Sequence, residues 1–120
     1  MILENTIKHA SQILKKHNIR SYKLDAEIIL SHIMGVNREF LLSNDHINIP
    51  ECKIKKFYHA ISRRIKNEPV AYITETKEFW SQNFRVNRYT LVPRPETELL
   101  IYKVVKFFKN KKINILDIGT

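Results

Sequence analysis

Residues 78–98 read Glu78-Phe-Trp-Ser-Gln-Asn-Phe-Arg-Val-Asn-Arg-Tyr-Thr-Leu-Val-Pro-Arg-Pro-Glu-Thr-Glu98 and contain the only tryptophan and two of the four prolines. The residues before this stretch have the apolar periodicity of short helices, whereas one helix and one buried strand are predicted after it. We interpret the stretch as the joint between two unlike domains, the second of which is incomplete.

The chain of 120 residues carries a formal net charge of +9, and the excess is unevenly distributed. Residues 1–49 hold six Lys/Arg against five Asp/Glu, whereas residues 50–120 hold fifteen against seven. A basic surface is one footprint of nucleic-acid binding. The abundance of Lys, Ile and Asn beside only two glycines is also the bias that an AT-rich genome imposes. Both explanations of the charge stay open.

The sequence favours a soluble, cytoplasmic protein without a metal site. No run approaches the roughly 18 apolar residues of a membrane span, and the first residues lack the basic-then-apolar order of a signal peptide. Cys52 is the only cysteine, so it forms no internal disulfide, which fits a reducing compartment. The five histidines are scattered, and none lies at metal-ligand spacing from a cysteine or a carboxylate.

Residues 1–70 have the pattern of an α-helical bundle of four helices. The first helix has an apolar stripe and ends near residues 17–18, and the second begins at Ser21 and stops at Gly35 as an αL residue. Asp25 and Glu27 lie near the positive end of the second helix, whose apolar residues cover almost its whole circumference, as in the middle of a bundle. Asn37 is placed to cap a short third helix, and Pro50 suits the first turn of the fourth.

The fourth predicted helix has one apolar and one basic side. The basic side holds Lys55, Lys56, Arg63 and Lys66, and Lys53 and Arg64 lie near its boundary. Such a side is most often simply solvated, and a binding role for it is the alternative.

After Pro69, which disfavours helical geometry in the residue before it, residues 70–73 are predicted to be extended. Residues 78–80 and 84–86 fit a β-hairpin with a three-residue turn at 81–83. Phe79, Trp80 and Phe84 most simply seal this hairpin against a domain, and a stacking platform for bases is the alternative.

Residues 90–95 must be extended, because each proline restrains its neighbour, and Pro95 suits the first turn of a fifth helix. Residues 113–118 follow as a near-continuous β-branched run, typical of a strand buried in a parallel sheet. This strand ends in Asp117-Ile-Gly119-Thr120. Ligands of open α/β sheets bind at the carboxyl ends of strands, and Gly119 has no Cβ to keep a cofactor away.

The combination of motifs is more specific than its parts and resembles the HemK-type release-factor glutamine methyltransferases over essentially the whole chain. The resemblance is carried by Leu24-Asp-Ala-Glu27 with Gly35, Arg63-Arg64, Glu68-Pro69-Val-Ala-Tyr-Ile73, Glu78-Phe79-Trp80, Val86, Thr90-Leu-Val-Pro-Arg-Pro-Glu-Thr-Glu98 and Ile115-Leu-Asp-Ile-Gly-Thr120. The chain departs from the family at Asn67 and Glu75, where glycines are usual. The family's Asn-Pro-Pro-Tyr motif, which grips the substrate amide, has no counterpart here.

The resemblance implies a helical recognition domain at 1–70, a β-hairpin and proline-rich linker at 71–95, and the start of a Rossmann-like class I methyltransferase domain at 96–120. The implied reaction moves a methyl group from S-adenosylmethionine to the glutamine side-chain nitrogen in the Gly-Gly-Gln motif of class I peptide chain release factors. Because an amide nitrogen is a poor nucleophile, catalysis would depend on alignment and hydrogen bonding.

The resemblance also implies site residues in two groups. Asp117, Gly119 and Thr120 would edge the cofactor site. The residues expected at the mouth near cofactor or substrate are Thr90, Pro93, Arg94, Pro95 and Thr97. A rigid interdomain turn is an equally good explanation of this second group, and no catalytic residue is assigned within the chain.

The leading hypothesis is the amino-terminal part of such an enzyme, inactive on its own because the amide-binding motif is missing. A non-catalytic module that docks on a release factor is the second hypothesis. A basic nucleic-acid-binding domain is the third, although the sequence has no recognised motif for it.

Overall fold

The computed structural model describes residues 1–119, which form a helical bundle, a β-hairpin and a separate helix. The helices are α1 (Leu3–Lys16), α2 (Tyr22–Met34), α3 (Arg38–Ser43), α4 (Glu51–Ile65), α5 (Val70–Thr74) and α6 (Pro95–Phe108), and the strands are β1 (Thr76–Phe79) and β2 (Gln82–Arg85). The predicted mostly helical first domain followed by a hairpin is confirmed.

Helix α2 is the centre of the bundle, because it packs against α1, α3, α4 and α5. Its Ile29 and Leu30 are fully buried and share one apolar core with Leu14 of α1 and Phe57 of α4. This position agrees with the predicted apolar circumference of α2.

The signals at the ends of α2 and α3 act much as predicted. Gly35 has φ 73° and ends α2 in the left-handed region. Asn37 caps α3, since its Oδ1 accepts a hydrogen bond from the Phe40 N–H at 2.9 Å. Ser21 precedes α2 as predicted, but its hydroxyl donates to the Asp25 carboxylate at 2.9 Å and caps no backbone N–H.

The prediction of an extended segment at 70–73 is wrong, because these residues form α5. Pro69 lies just before the helix, and its carbonyl accepts from the backbone N–H groups of Tyr72 and Ile73. A short helix buries Ile73 in the bundle core. This packing outweighs the extended preference of Val, Tyr and Ile.

The hairpin forms, but its turn differs from the prediction. Phe79 pairs with Gln82, so the loop contains two residues, Trp80 and Ser81, and not three. Both have positive φ, 52° and 57°, as in a type I′ turn. Phe79 and Phe84 meet edge to face with ring centroids 6.2 Å apart. Trp80 and Phe84 are nevertheless exposed, so the expected sealing of the hairpin against a domain by all three rings is not found among residues 1–119.

Asn67 and Glu75, where the resemblance leads us to expect glycines, both have left-handed backbone conformations. Their φ angles are 62° and 56°. Asn67 ends the turn after α4, and Glu75 joins α5 to β1 while its carbonyl accepts from the Val86 N–H at 3.0 Å. The sequence therefore keeps the turns and places side chains in a region that glycine occupies without steric cost.

We expect Glu75→Gly to raise the free energy of unfolding by about 1 kcal/mol, because an L-residue with this conformation is strained. Asn67→Gly is the matched control and is expected to gain only a few tenths of a kcal/mol, since asparagine tolerates the left-handed region. Urea unfolding followed by circular dichroism measures both. An equal or larger gain from Asn67→Gly would contradict the argument.

Helix α6 stands apart from the bundle. Pro95 occupies its first turn as predicted, yet no residue of the helix is buried. The molecule is elongated and measures 57 × 29 × 23 Å. Residues 111–119 form no strand, so the strand predicted at 113–118 is absent from the structure. A parallel strand needs neighbouring strands for its hydrogen bonds, and the described residues supply none beside it.

Candidate functional site

The proline-rich segment, residues 87–94, links the hairpin to α6, and hydrogen bonds hold the structure on both sides of it. At its start, the Asn87 carbonyl accepts from the Thr90 N–H at 2.9 Å. The Tyr72 hydroxyl donates to the Thr90 carbonyl at 2.6 Å, which ties the segment to α5. At its other end, Glu98 of α6 accepts from the Trp80 N–H at 2.8 Å through Oε1. The hairpin tip and α6 are therefore held together across this segment.

A cleft of about 460 Å³ lies beside the proline-rich segment. Its lining residues are Pro69, Tyr72, Lys77, Leu91, Val92, Pro93, Arg94, Pro95 and Glu96. Three of the five predicted mouth residues, Pro93, Arg94 and Pro95, thus lie together. The other two are adjacent, because Thr90 is bound by Tyr72 and the exposed Thr97 donates its N–H to the Arg94 carbonyl at 3.1 Å. The cleft is open and carries charges of both signs.

The residues predicted at the cofactor edge lie elsewhere. Asp117 and Gly119 are exposed in the extended segment after α6, and Thr120 lies outside the described residues. A Cβ added at Gly119, which has φ 85°, would meet no atom within 4 Å in the described part of the chain, its immediate neighbours in sequence aside. Within residues 1–119, no hydrogen bond or ion pair joins Asp117 or Gly119 to the proline-rich segment.

Two buried carboxylates in α2 form ion pairs that the sequence analysis does not predict. The Asp25 side chain is only 7% exposed and accepts from Arg64 Nε at 2.7 Å. The Glu27 side chain is 4% exposed and accepts from Arg38 Nε at 2.7 Å. Buried carboxylates require such partners, because desolvation of an unpaired charge is costly. Helix position alone predicted only an interaction with the helix dipole.

Several basic residues of α4 have partners within the protein. Arg64 pairs with Asp25, and Lys53 Nζ donates to the Met34 carbonyl at 2.9 Å. Lys55 pairs with Glu51 at 3.0 Å. Lys56 and Lys66 are exposed, so the binding role considered for the basic side stays a prediction.

Arg63 forms a two-pronged ion pair with Glu68 just beyond α4. Arg63 Nε donates to Glu68 Oε2 at 2.8 Å, and Nη2 donates to Oε1. The hydrogen bond from Arg63 lowers the pKa of Glu68, and the hydrogen bond to Glu68 raises the pKa of Arg63. The pair fastens the turn before Pro69 to the end of α4.

We expect this pair to contribute to stability above pH 4.5, the ordinary pKa of the Glu68 carboxyl, and to lose its contribution as the pH falls through the lowered folded-state value. The fall in unfolding free energy between about pH 6 and about pH 3 should be shallower in Glu68→Gln than in the wild type. Urea unfolding at several pH values measures it. Glu51→Gln, in a more exposed pair, is the control; identical slopes for Glu68→Gln and the wild type would contradict the prediction.

Residues 1–119 also bear on a metal site and on membrane insertion. No three His, Cys, Asp or Glu side chains of this part of the chain are grouped so as to hold a metal ion. None of its helices combines the length and apolar character needed to cross a membrane.

The fold defines a class of domain: an all-α bundle, closed around one core, that leads through a β-hairpin and a proline-stiffened segment into a further helix. The chain belongs to the family of the PrmC N-terminal domain, whose family model matches residues 5–74. The matched range contains the whole of α2 to α5, most of α1 and both buried ion pairs.

Similar proteins include several methyltransferases. The release factor glutamine methyltransferase of Buchnera aphidicola subsp. Baizongia pistaciae is 40% identical over 121 residues, which covers 100% of this chain and 43% of that protein. The release factor glutamine methyltransferase of Leptospira interrogans is 40% identical over 116 residues, covering 95% of this chain and 41% of the relative. The bifunctional methyltransferase of Rickettsia conorii is 39% identical over 99 residues, 82% of this chain and 19% of its own length. The chain thus spans less than half the length of these curated relatives.

Proposed function

We propose that this chain is the amino-terminal, substrate-recognition part of a cytoplasmic protein-(glutamine-N5) methyltransferase that acts on class I peptide chain release factors in translation termination. The observation that carries the proposal is the match of residues 5–74 to the PrmC N-terminal domain, together with relatives that are named release factor glutamine methyltransferases. In the complete enzyme the acceptor is the glutamine of the Gly-Gly-Gln motif. The working division is a recognition domain at 1–70, a linker at 71–95 and the start of the methyltransferase domain at 96–120.

The donor in the complete enzyme is S-adenosylmethionine, which supplies the methyl group. The described residues do not by themselves fit this cofactor, because Asp117 and Gly119 are exposed and no wall stands near Gly119. No step of the reaction is therefore assigned to residues of this chain. In the complete enzyme, we propose, the cofactor site is edged by Asp117, Gly119 and Thr120. The mouth near the cofactor or substrate is lined by Thr90, Pro93, Arg94, Pro95 and Thr97.

The residues of this chain would bind the release factor and orient it for methyl transfer. The contact of Tyr72 with Thr90 and that of Trp80 with Glu98 hold the proline-rich segment between the bundle and α6. Such fixed contacts support a linker that presents a bound substrate in one orientation. Accurate orientation matters in this reaction, since misplacement of reacting groups by about 1 Å can cost about 100-fold in rate.

We expect the 120-residue chain to bind a purified class I release factor and to transfer no methyl label to it from S-adenosylmethionine. Isothermal titration calorimetry measures the binding, and incorporation of labelled methyl measures the transfer. Label in the release factor would contradict the predicted inactivity. Absence of binding would contradict the recognition role.

A non-catalytic release-factor-binding module is the second candidate, and one observation favours it. The bundle core is closed within residues 3–73, so the bundle does not need α6 to bury its apolar residues. A chimera that joins residues 1–119 to the remaining part of the Buchnera aphidicola relative separates the two candidates. Methyl transfer by the chimera supports the enzyme, whereas binding without transfer supports the module.

A further inference from the structure

A second and larger cleft opens on the bundle, between α1, α2 and α3. Its volume is about 520 Å³, and it is remote in sequence from the proline-rich segment. Its apolar lining residues are Leu3, Ile7, Tyr22, Leu41 and Leu42. Leu42 is 56% exposed, so the cleft presents apolar surface directly to the solvent. An exposed apolar groove on a small domain is a common sign of an interaction site.

The cleft carries opposite charges towards its two ends, and Lys8 and Gln12 of α1 line it between them. At one end lie Glu4 and Asp45, which are adjacent because the Glu4 N–H donates to the Asp45 carbonyl at 2.9 Å. At the other end lie Lys15 and Lys23, and Lys15 Nζ is held 5.6 Å from the centre of the Tyr22 ring. Glu4 and Lys15 belong to the same helix, and their eleven-residue separation corresponds to about 16 Å along its axis.

A buried hydroxyl lies between the charged ends. Ser11 lines the cleft and is only 7% exposed, and its hydroxyl oxygen has no hydrogen-bond partner among residues 1–119. The buried Glu27 carboxylate also lines the cleft, but Arg38 already binds it. An unpaired buried hydroxyl is unfavourable, and a bound group that offers it a partner removes this cost. A serine hydroxyl reaches a new partner by rotation about one bond.

From these features we propose that the α1–α2–α3 cleft docks a helical segment of the protein substrate. The segment has an apolar face about three turns long, an acidic side chain over Lys15 and Lys23, and a basic side chain over Glu4 and Asp45. A polar group of the segment binds the Ser11 hydroxyl. This inference rests on the proposed function for the identity of the partner, a class I release factor.

The chemistry of the cleft selects a protein helix over other partners. A phosphate backbone would be attracted by Lys8, Lys15 and Lys23 but would also meet the carboxylates of Glu4 and Asp45 at one end, which is unlike a uniformly basic nucleic-acid groove. A helix laid in an apolar groove suits a cleft that runs beside α1 with opposite charges towards its two ends. Opposite charges at the two ends also fix the direction of the bound helix.

The test uses the 120-residue chain and a purified class I release factor, with binding measured by titration calorimetry. The first variant, Lys15→Glu with Lys23→Glu, reverses the basic end of the cleft. The second, Leu42→Asp, places a charge on its apolar floor. All three residues are exposed, so circular dichroism should show unchanged folding. For each variant, the dissociation constant for the release factor is expected to rise by about tenfold or more.

The matched control is Lys56→Glu with Lys66→Glu, which makes the same change of net charge on exposed positions at and just after α4. This variant is expected to bind as the wild type does. Wild-type affinity in both cleft variants would overturn the inference and leave the proposed function standing. A loss confined to the control would place the docking surface on α4 and would also overturn the inference. If the wild type itself does not bind, the proposed function fails, and the inference fails with it.

Ser11→Ala separates a docking role of the hydroxyl from a merely structural one. Removal of an unpaired buried hydroxyl raises the melting temperature. If the hydroxyl also binds the docked segment, the same variant weakens release-factor binding several-fold. A more stable variant with wild-type affinity would show that Ser11 takes no part in docking.

Discussion

Replacement of Arg64 by methionine is expected to lower the free energy of unfolding by about 3 kcal/mol or more, because it removes the cation from a buried carboxylate. The Asp25 side chain is 7% exposed and the Arg64 side chain 17% exposed, with Nε and Oδ2 at 2.7 Å. Arg64 Nη1 also donates to the Glu68 carbonyl at 3.2 Å. Among residues 1–119 the variant thus leaves the Asp25 carboxylate with only the Ser21 hydroxyl as a partner, and it frees the turn beyond α4.

Arg63→Met is the matched control for Arg64→Met, since the two arginines are neighbours on α4. Arg63 is 38% exposed and its partner Glu68 is 29% exposed, so this loss should stay near or below about 1 kcal/mol. The double variant Asp25→Leu with Arg64→Met removes both charges and should recover much of the stability lost in Arg64→Met alone. Equal losses for the two single arginine variants in urea unfolding would contradict the assignment of Asp25 to Arg64 as a buried pair.

Phe57→Ala is expected to be comparably damaging, with a loss of about 3–5 kcal/mol of unfolding free energy. The Phe57 side chain is completely buried in the bundle core, and its ring meets that of Tyr58 edge to face at a centroid distance of 5.5 Å. Truncation removes the apolar contacts of the ring and leaves a cavity that the surrounding helices fill only in part. For a small domain such a loss approaches the whole stability.

Phe107→Ala makes the same chemical change on α6, where the side chain is 63% exposed. Its expected effect is within about 0.5 kcal/mol. Thermal unfolding followed by circular dichroism at 222 nm compares the two variants in one experiment. A similar shift of the melting temperature for both would mean that Phe57 does not hold the core as the structure shows.

The sequence predicts the helices of the bundle well, because their signals are local. Leu14 and Phe57 belong to apolar stripes with the helical period, and both lie in the core. Gly35 and Asn37 mark helix ends through their own backbone and side-chain properties, and they act there as predicted. Pro95 likewise begins α6. In each case the residue that carries the signal also makes the interaction.

Prediction fails where a distant contact decides the local structure. Residues 70–73 have extended preferences, but the burial of Ile73 against the bundle makes them helical. The hairpin turn falls at Trp80 and Ser81, neither of which is a usual residue for positive φ. The pairing register of the strands and the contact of Trp80 with Glu98 fix that turn. No local pattern reveals either contact.

At the candidate site, too, local sequence signals are predictable and contacts between distant residues are not. The proximity of Pro93, Arg94 and Pro95 follows from their adjacency in sequence, and the structure adds the cleft beside them. The pairing of Asp25 with Arg64 joins residues 39 positions apart, so it emerges only from the packing of α2 against α4. The sequence does not mark Ser11 as a site residue, because serine is common in helices. Only the packing shows that its hydroxyl has no hydrogen-bond partner among residues 1–119. The placement of Asp117, Gly119 and Thr120 at a cofactor edge stays a prediction.

The unburied helix α6 has a consequence for handling the protein in solution. Leu99, Leu100 and Phe107 are exposed there, while lysines follow them in the same helix and after it. We expect mutual repulsion of copies with a net charge of +9 to keep these apolar surfaces apart in dilute buffer. Added salt shortens the reach of that repulsion to about 10 Å at 0.1 M, so self-association of the 120-residue chain is expected to increase with ionic strength.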